Sequence, residues 1–196
     1  VLQGINAFIQ GARSVNPKAE LRVIWVNSWF DPGKERQASM TLMSQGADVL
    51  THHTDSTAVV QAAEEKGKYA VGYHSDMSKY GPTAHLTATT HHWGDFYIKT
   101  IEQVKAGNWK PESLWGGYAK GVVRLAPLSP AIHAELQARI AKMEKQMADG
   151  SIHAFAGPVI DQSGETLVAA GQNMTDDQLG SMDFYVQGVV SKLPKK

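Results

Sequence analysis

The stretch Leu21-Arg22-Val23-Ile24-Trp25-Val26-Asn27-Ser28-Trp29-Phe30-Asp31-Pro32-Gly33 decides the fold. Its first half is an apolar run short enough for a buried strand, predicted over Leu21–Asn27. Its second half turns polar and offers Asp31 as a helix cap, with Pro32 at the first helical position. A helix is therefore expected from there to about Gln45, stopped by Gly46 at the favoured C-terminal position. The rhythm repeats. Ala47–Thr51 reads as a strand, Asp55 or Ser56 as the cap of a helix ending at Gly67, and Lys68–Tyr73 as a strand. Short apolar strands alternating with helices predict a parallel sheet covered by helices on both faces. Such sheets bind ligands beyond the carboxyl ends of their strands.

Upstream, Leu2, Ile5, Phe8, Ile9 and Ala12 recur at helical spacing, and this helix is expected to end near Asn16-Pro17. The chain starts without Met and inside an element, so a truncated or processed product is expected. Downstream, Leu86–Thr90 reads as a strand, Gly94–Ala106 as a helix closed by Gly107, and Val122–Ala126 as a strand. Asn108–Gly121 has no clear period, and its Trp109 and Trp115 either line a cleft or plug the packing. Ser129-Pro130 is expected to open a helix with Ile132, Leu136, Ile140, Met143 and Met147 on one face, ended by Gly150. Phe155–Ile160 and Glu165–Ala170 flank Asp161-Gln162-Ser163-Gly164 as a hairpin. The tail Lys192–Lys196 is expected to fray.

Lys plus Arg number 19 and Asp plus Glu number 19 in 196 residues. A zero balance argues against nucleic-acid binding through a basic surface and against a polybasic membrane face. Cysteine is absent, which excludes disulfides, thiolate metal sites and a cysteine nucleophile. No run approaches the roughly 18 apolar residues of a membrane span.

The polar and aromatic residues gather at the strand ends: Asn27, Ser28, Trp29, Phe30 and Asp31; His52, His53, Thr54, Asp55 and Ser56; Tyr73, His74, Ser75 and Asp76; Thr90, His91, His92 and Trp93. A flat heteroaromatic ligand needs a ring to stack on and edge donors and acceptors to orient it. Trp29 is the candidate ring; otherwise it and Phe30 cover the core under a loop. The pairs His52-His53 and His91-His92 suggest a metal, but adjacent residues on an extended segment face opposite ways. No HExxH spacing accompanies them. A neutral imidazole on a ligand edge suits them better. Ser28, Ser56 and Ser75 lack the G-x-S-x-G elbow of a nucleophile. Asp55 is either an acid–base group or a helix cap, and Asp76 either that or a turn residue. Gly116-Gly117 and Gly121 match no phosphate-cradling pattern.

Several stretches, taken in order, are similar to one family. They are Ala7-Phe8-Ile9-Gln10-Gly11-Ala12 with Asn16-Pro17, Val26 to Lys34, Gln45 to Leu50, Tyr69-Ala70-Val71-Gly72, Gly157 to Asp161, and Ala169-Ala170-Gly171. Together they resemble the basic membrane protein family of ABC-transporter solute-binding proteins. The resemblance implies a type I periplasmic-binding-protein fold in which two α/β lobes close on a purine nucleoside or related compound. It implies that most of the first lobe is missing here. Residues 1–90 would be the second, C-terminal ligand-binding lobe. Residues 91–196 would hold the hinge crossings, remaining first-lobe elements and C-terminal elements of both lobes. An incomplete lobe would expose apolar surface, so aggregation, a partner fragment or a missing N-terminal lobe is expected.

The resemblance also implies the site. Trp29 stands where the family stacks an aromatic residue on the purine. His74 stands where it has an Asp gripping ribose hydroxyls, and His91-His92 follow the strand where it often has a Lys. An imidazole cannot accept both protons of a diol as a carboxylate does, so these departures favour a free base such as adenine over a nucleoside. The expected ligand-binding set is Asn27, Ser28, Trp29, Phe30, Thr54, Asp55, His74, Asp76, His91, His92 and Trp93. No catalytic residue, metal or cofactor is expected. The expected partners are the purine and an ABC permease in the membrane, not nucleic acid. The protein would be periplasmic or lipid-anchored at the outer face of the cytoplasmic membrane. The alternatives are a histidine-rich metal-dependent or acid–base enzyme and the ligand-sensing domain of a regulator.

Overall fold

A computed structural model describes residues 1–194; Lys195 and Lys196 of the expected frayed tail lie outside the described residues. Helix α1 (Leu2–Val15) is followed by α2 (Pro32–Ser44), β1 (Val49–Thr51), α3 (Ala58–Glu65), β2 (Tyr69–His74) and β3 (His85–His91). Then come α4 (Gly94–Lys105), β4 (Val123–Leu125), α5 (Ala134–Asp149), β5 (Val159–Ile160), β6 (Thr166–Val168) and α6 (Asp176–Gly180).

The main sheet has the order β1-β2-β3-β4. Leu50 pairs with Ala70, and Gly72 with Ala88, both in parallel. β4 closes the edge antiparallel, with Thr90 opposite Arg124. The expected parallel sheet is thus mainly parallel, its last strand reversed. The capping prediction for α2 holds: the Asp31 carboxylate accepts the Lys34 N–H at 3.0 Å and Pro32 opens the helix. Gly46 then leaves it at φ +98°, in the region glycine tolerates best. α3 turns Ala58, Val59, Val60, Ala62 and Ala63 inward. Val59, Val60 and Ala63 meet Leu50, Ala70, Met77 and Ala84 in one core.

A second core joins Ile9 of α1 to Phe155, Val159, Val168, Met174, Tyr185, Val186 and Val189. Buried Asn6 stitches this contact: its amide donates to Phe184 O at 2.8 Å and its oxygen accepts from Val186 N at 3.1 Å. α1 is therefore held by the far end of the chain. The predicted hairpin forms as β5–β6, shorter than expected. The Asp161 carboxylate accepts the Ser163 and Glu165 N–H groups and shapes its turn.

Three expectations are corrected. Leu21–Asn27 is no ladder strand; only Leu21 forms a bridge, to Val189, and the segment ends at Asn27 in a left-handed conformation. Its partners are in the C-terminal segment. Val23 N–H reaches the Ser191 hydroxyl, and the Trp25 indole N–H donates to the Tyr185 hydroxyl at 2.9 Å. The free edge of β1 faces it across a cavity, so no neighbouring strand lies within hydrogen-bond reach. Secondly, α5 starts at Ala134, after a turn in which Ile132 N–H bonds to Ser129 O. No residue of α5 is buried; it packs against the short turn Tyr118–Lys120, and Leu136 and Met143 of its predicted apolar face stay exposed. Thirdly, Asp55 is not the cap of α3: Thr57 holds the cap position, and the Ser56 hydroxyl accepts the Ala58 N–H at 3.2 Å.

Candidate functional site

The carboxyl ends of β1, β2 and β3 lie side by side. Tyr73, near the end of β2, is the hub. Its ring lies 3.8 Å from that of His74, 4.6 Å from His53, 5.6 Å from His91 and 6.4 Å from His52, centre to centre. Burial pushes its hydroxyl pKa up, with a smaller push from the Asp55 charge. His74 Nδ1 is 3.0 Å from His91 Nδ1, and His74 Nε2 is 3.3 Å from Asp55 Oδ1. A row Asp55–His74–His91 thus runs across the strand ends. Trp29 joins it through the backbone, because Asp55 N–H donates to Trp29 O at 2.8 Å. That bond holds the loop after Leu21–Asn27 against the loop after β1. The Trp29 side chain itself stays 64% exposed.

Backbone strain concentrates at the same place. Asn27 and His74 adopt left-handed conformations, with φ of +51° and +66°. Non-glycine residues hold this region at a cost of about 1 kcal/mol or more, and such costs gather at ligand sites.

Beside this row opens a cavity of about 760 Å³. Its apolar walls are α1 (Ile5, Phe8), the segment Val23 to Val26, Leu42 of α2, and Leu50 of β1. Asn27, Ser28, Trp29, His52, His53, Thr54 and Tyr73 line it as well. His52 Nε2 and His53 Nδ1 are buried without a hydrogen-bond partner. Burial pushes both imidazoles below the usual histidine range, His53 to about 4. Burial lowers His91 too, helped by the neighbouring His74 and His92.

Glu35 has no counterpart in the sequence-based expectations. It is almost fully buried at 2% exposure. Its carboxylate accepts from Thr54 Oγ1 at 2.7 Å, Ser56 Oγ at 2.6 Å and Asp31 N–H at 3.0 Å. It therefore sets the two loops that carry Trp29 and Asp55. The detectable signal was the reach from one helical turn inside α2 back to its cap. Tyr73, His52 and His53 were visible at strand ends, but their role as a common wall was not.

The structure brings together Asn27, Ser28, Trp29, Thr54, Asp55, His74 and His91. Phe30 is exposed beside Trp29 in sequence. Thr54 is tied to Glu35. Asp76 serves the turn after β2, accepting the Ser78 N–H at 2.9 Å, and stands 4.0 Å from buried His85. His92 bonds to Thr90 Oγ1 at 3.0 Å. Trp93 stacks with Tyr97 at the start of α4. Trp109 and Trp115 do not line the cavity. Among the described residues, no group of three His, Asp or Glu side chains comes together as a metal site. No described helix is long and apolar enough to cross a membrane.

An exposed indole, a tyrosine ringed by imidazoles, and short hydroxyl and carboxylate groups meet at a cavity mouth. The family described as "ABC transporter substrate-binding protein PnrA-like" matches residues 1–154. The chain is 43% identical over 195 residues to the purine-binding protein of Brucella abortus, covering all of this chain and 55% of that protein. It is 32% identical over 194 residues to an ABC transporter protein of Haloferax volcanii whose name proposes glucose binding, covering 99% of this chain and 47% of that one. The crystal structure of a transcriptional activator of the comK gene from Bacillus halodurans superposes with a TM-score of 0.67 at 26% identity. That match covers 74% of this chain and 52% of the other. The chain spans about half the length of the curated relatives it matches. It belongs to the Bmp family of PnrA-like ABC transporter substrate-binding proteins.

Proposed function

We propose that this chain carries the ligand-binding lobe of a solute-binding protein that captures a purine, a free base such as adenine in preference to a nucleoside. Trp29 stacks on the ring, Asn27, Ser28, Thr54, Asp55 and His91 contact its edges, and His74 stands behind His91. Residues 1–90 form the lobe's ligand face, and the chain crosses toward the other lobe after β3. Lobe closure over the ring is a hinge motion. The closed form delivers the purine to a membrane permease from the outer side of the cytoplasmic membrane.

The observation that carries this reading is the exposed Trp29 indole, on a loop whose Trp29 carbonyl is tied to the Asp55 N–H beside the imidazole row. Support comes from the 43% identity to the Brucella purine-binding protein. His74 supports base over nucleoside, because both its ring nitrogens are engaged, Nε2 by Asp55 and Nδ1 by His91, and it leaves no acceptor for a ribose diol. Isothermal titration of the full chain with adenine, adenosine and D-glucose tests it. Adenine binding tighter than adenosine, with no glucose heat, is the expected result. Glucose binding alone would replace the purine with a sugar.

A ligand-sensing role is the second reading, favoured by the likeness to a protein titled a transcriptional activator. A DNA-binding or signalling domain in the same gene would decide for it.

A further inference from the structure

We propose that Asp55, His74 and His91 form a hydrogen-bond relay that locks His91 as the acceptor for an exocyclic amine on the ligand. This deepens the purine reading and rests on it for the identity of the ligand.

The chemistry follows from two distances. Two imidazole nitrogens 3.0 Å apart share one hydrogen, so of His74 Nδ1 and His91 Nδ1 one donates and the other accepts. His74 Nε2 stands 3.3 Å from the Asp55 carboxylate. A lone pair there would face a negative oxygen, whereas an N–H is attracted to it. His74 therefore keeps its proton on Nε2, and its Nδ1 is the acceptor. The hydrogen between the rings then belongs to His91 Nδ1. That leaves His91 Nε2 as a lone pair, since a neutral imidazole carries one N–H. Among the described residues His91 Nε2 has no hydrogen-bond partner, and it is not a buried atom, so it is open to a ligand.

The surroundings oppose a charge on His91. Facing the pair are Asp55 from the loop after β1, His52 and His53 beneath Tyr73, Tyr73 itself, and His92 on the same strand end. A proton added to His91 would sit against His74 and near His92, and burial opposes it as well. At neutral pH the site thus presents an acceptor. Acid turns that acceptor into a donor and reverses what it can recognise. The left-handed backbone of His74 is consistent with a ring held in place for this purpose.

The test has two independent parts, both on the full chain. Long-range proton–nitrogen NMR on protein with ¹⁵N-labelled histidine reads the tautomers directly, without ligand. His91 protonated at Nδ1 and His74 at Nε2 at pH 7.5 is expected, and Asp55→Asn should scramble His74. His91 protonated at Nε2 overturns the relay. The second part titrates adenine against 6-methylpurine, which keeps the ring and replaces the amine with a methyl group of similar size. Adenine is expected to bind about tenfold tighter at pH 7.5, the loss of one hydrogen bond. In His91→Phe that ratio should fall below about threefold, and in the parent protein it should shrink as the pH is lowered from 7.5. Equal affinities at pH 7.5 overturn the selection. If neither base binds, the purine reading fails and the amine selection with it, while the NMR result still judges the relay.

Discussion

The Glu35 carboxylate accepts the Thr54 hydroxyl at 2.7 Å, joining the first turn of α2 to the loop after β1. With the Ser56 hydroxyl and the Asp31 N–H also bound to it, one buried charge organises both sides of the candidate site. Glu35→Ala strands these donors. Unfolding by urea should show a loss of about 3 kcal/mol, since hydrogen bonds to charged groups contribute about 1.5–3 kcal/mol each and unpaired buried donors add a penalty. Glu35→Gln, whose amide can still bond to rotating hydroxyls, should lose less. Equal losses would contradict this account.

Trp29→Ala should separate binding from folding. The indole is 64% exposed, so the midpoint of thermal unfolding should stay within about 0.5 kcal/mol of the parent. Stacking of a base on an aromatic ring contributes about 1–3 kcal/mol. Titration calorimetry should therefore show purine affinity reduced by at least about fivefold.

Two glycines of α1 should respond in opposite directions. Helix propensity alone predicts that Gly→Ala stabilises by about 1 kcal/mol. At Gly11 nothing lies within 4 Å of an added methyl, so Gly11→Ala should gain about that much. At Gly4 the methyl would run into the buried His53 ring. Overpacking costs about 1–3 kcal/mol, so Gly4→Ala should be neutral or destabilising. Chemical denaturation of the pair is the measurement. A gain at Gly4 equal to that at Gly11 would show that His53 does not rest there.

Acid should weaken the fold through His53. Burial pushes its imidazole down to about 4, below the ordinary histidine value of 6.5. The unfolded chain then binds the proton first. Stability is full above about pH 6.5, falls as pH drops toward 4, and levels off below that. The loss attributable to this group is at most about 3 kcal/mol. Burial lowers His52, His85 and His91 in the same direction. In His53→Phe, which keeps a ring without a titratable nitrogen, urea midpoints should vary less over this window.

The apolar face of α4 governs solubility. Tyr97, Ile98, Ile101 and Val104 are each close to 58% exposed. Ile101→Glu should reduce light scattering of concentrated protein while leaving unfolding within about 0.5 kcal/mol of the parent. Unchanged scattering would place the sticky surface elsewhere.

Local signals settled much of this protein from sequence. Asp31-Pro32 started α2 and Gly46 ended it, because capping depends on neighbours within one turn. The apolar runs at Val49, Ala70 and Ala88 placed three parallel strands, and their ends placed the polar cluster. The order of the family stretches identified the family. The tertiary structure decided what depends on partners far along the chain. Leu21–Asn27 has the composition of a strand, yet a ladder needs a neighbour about 4.8 Å away, and that segment finds the C-terminal residues instead. Asp55 was open to two readings until His74 came within 3.3 Å of it. The contact between His74 and His91 spans 17 residues of sequence, and only the pairing of β2 with β3 closes it. Glu35 shows the same limit. Its place in α2 was legible, but its burial and donors depend on how two distant loops fold over it. Periodicity and caps are written in the chain because their energetics are local. Register, burial and side-chain hydrogen bonds between strand ends arise only when the sheet assembles.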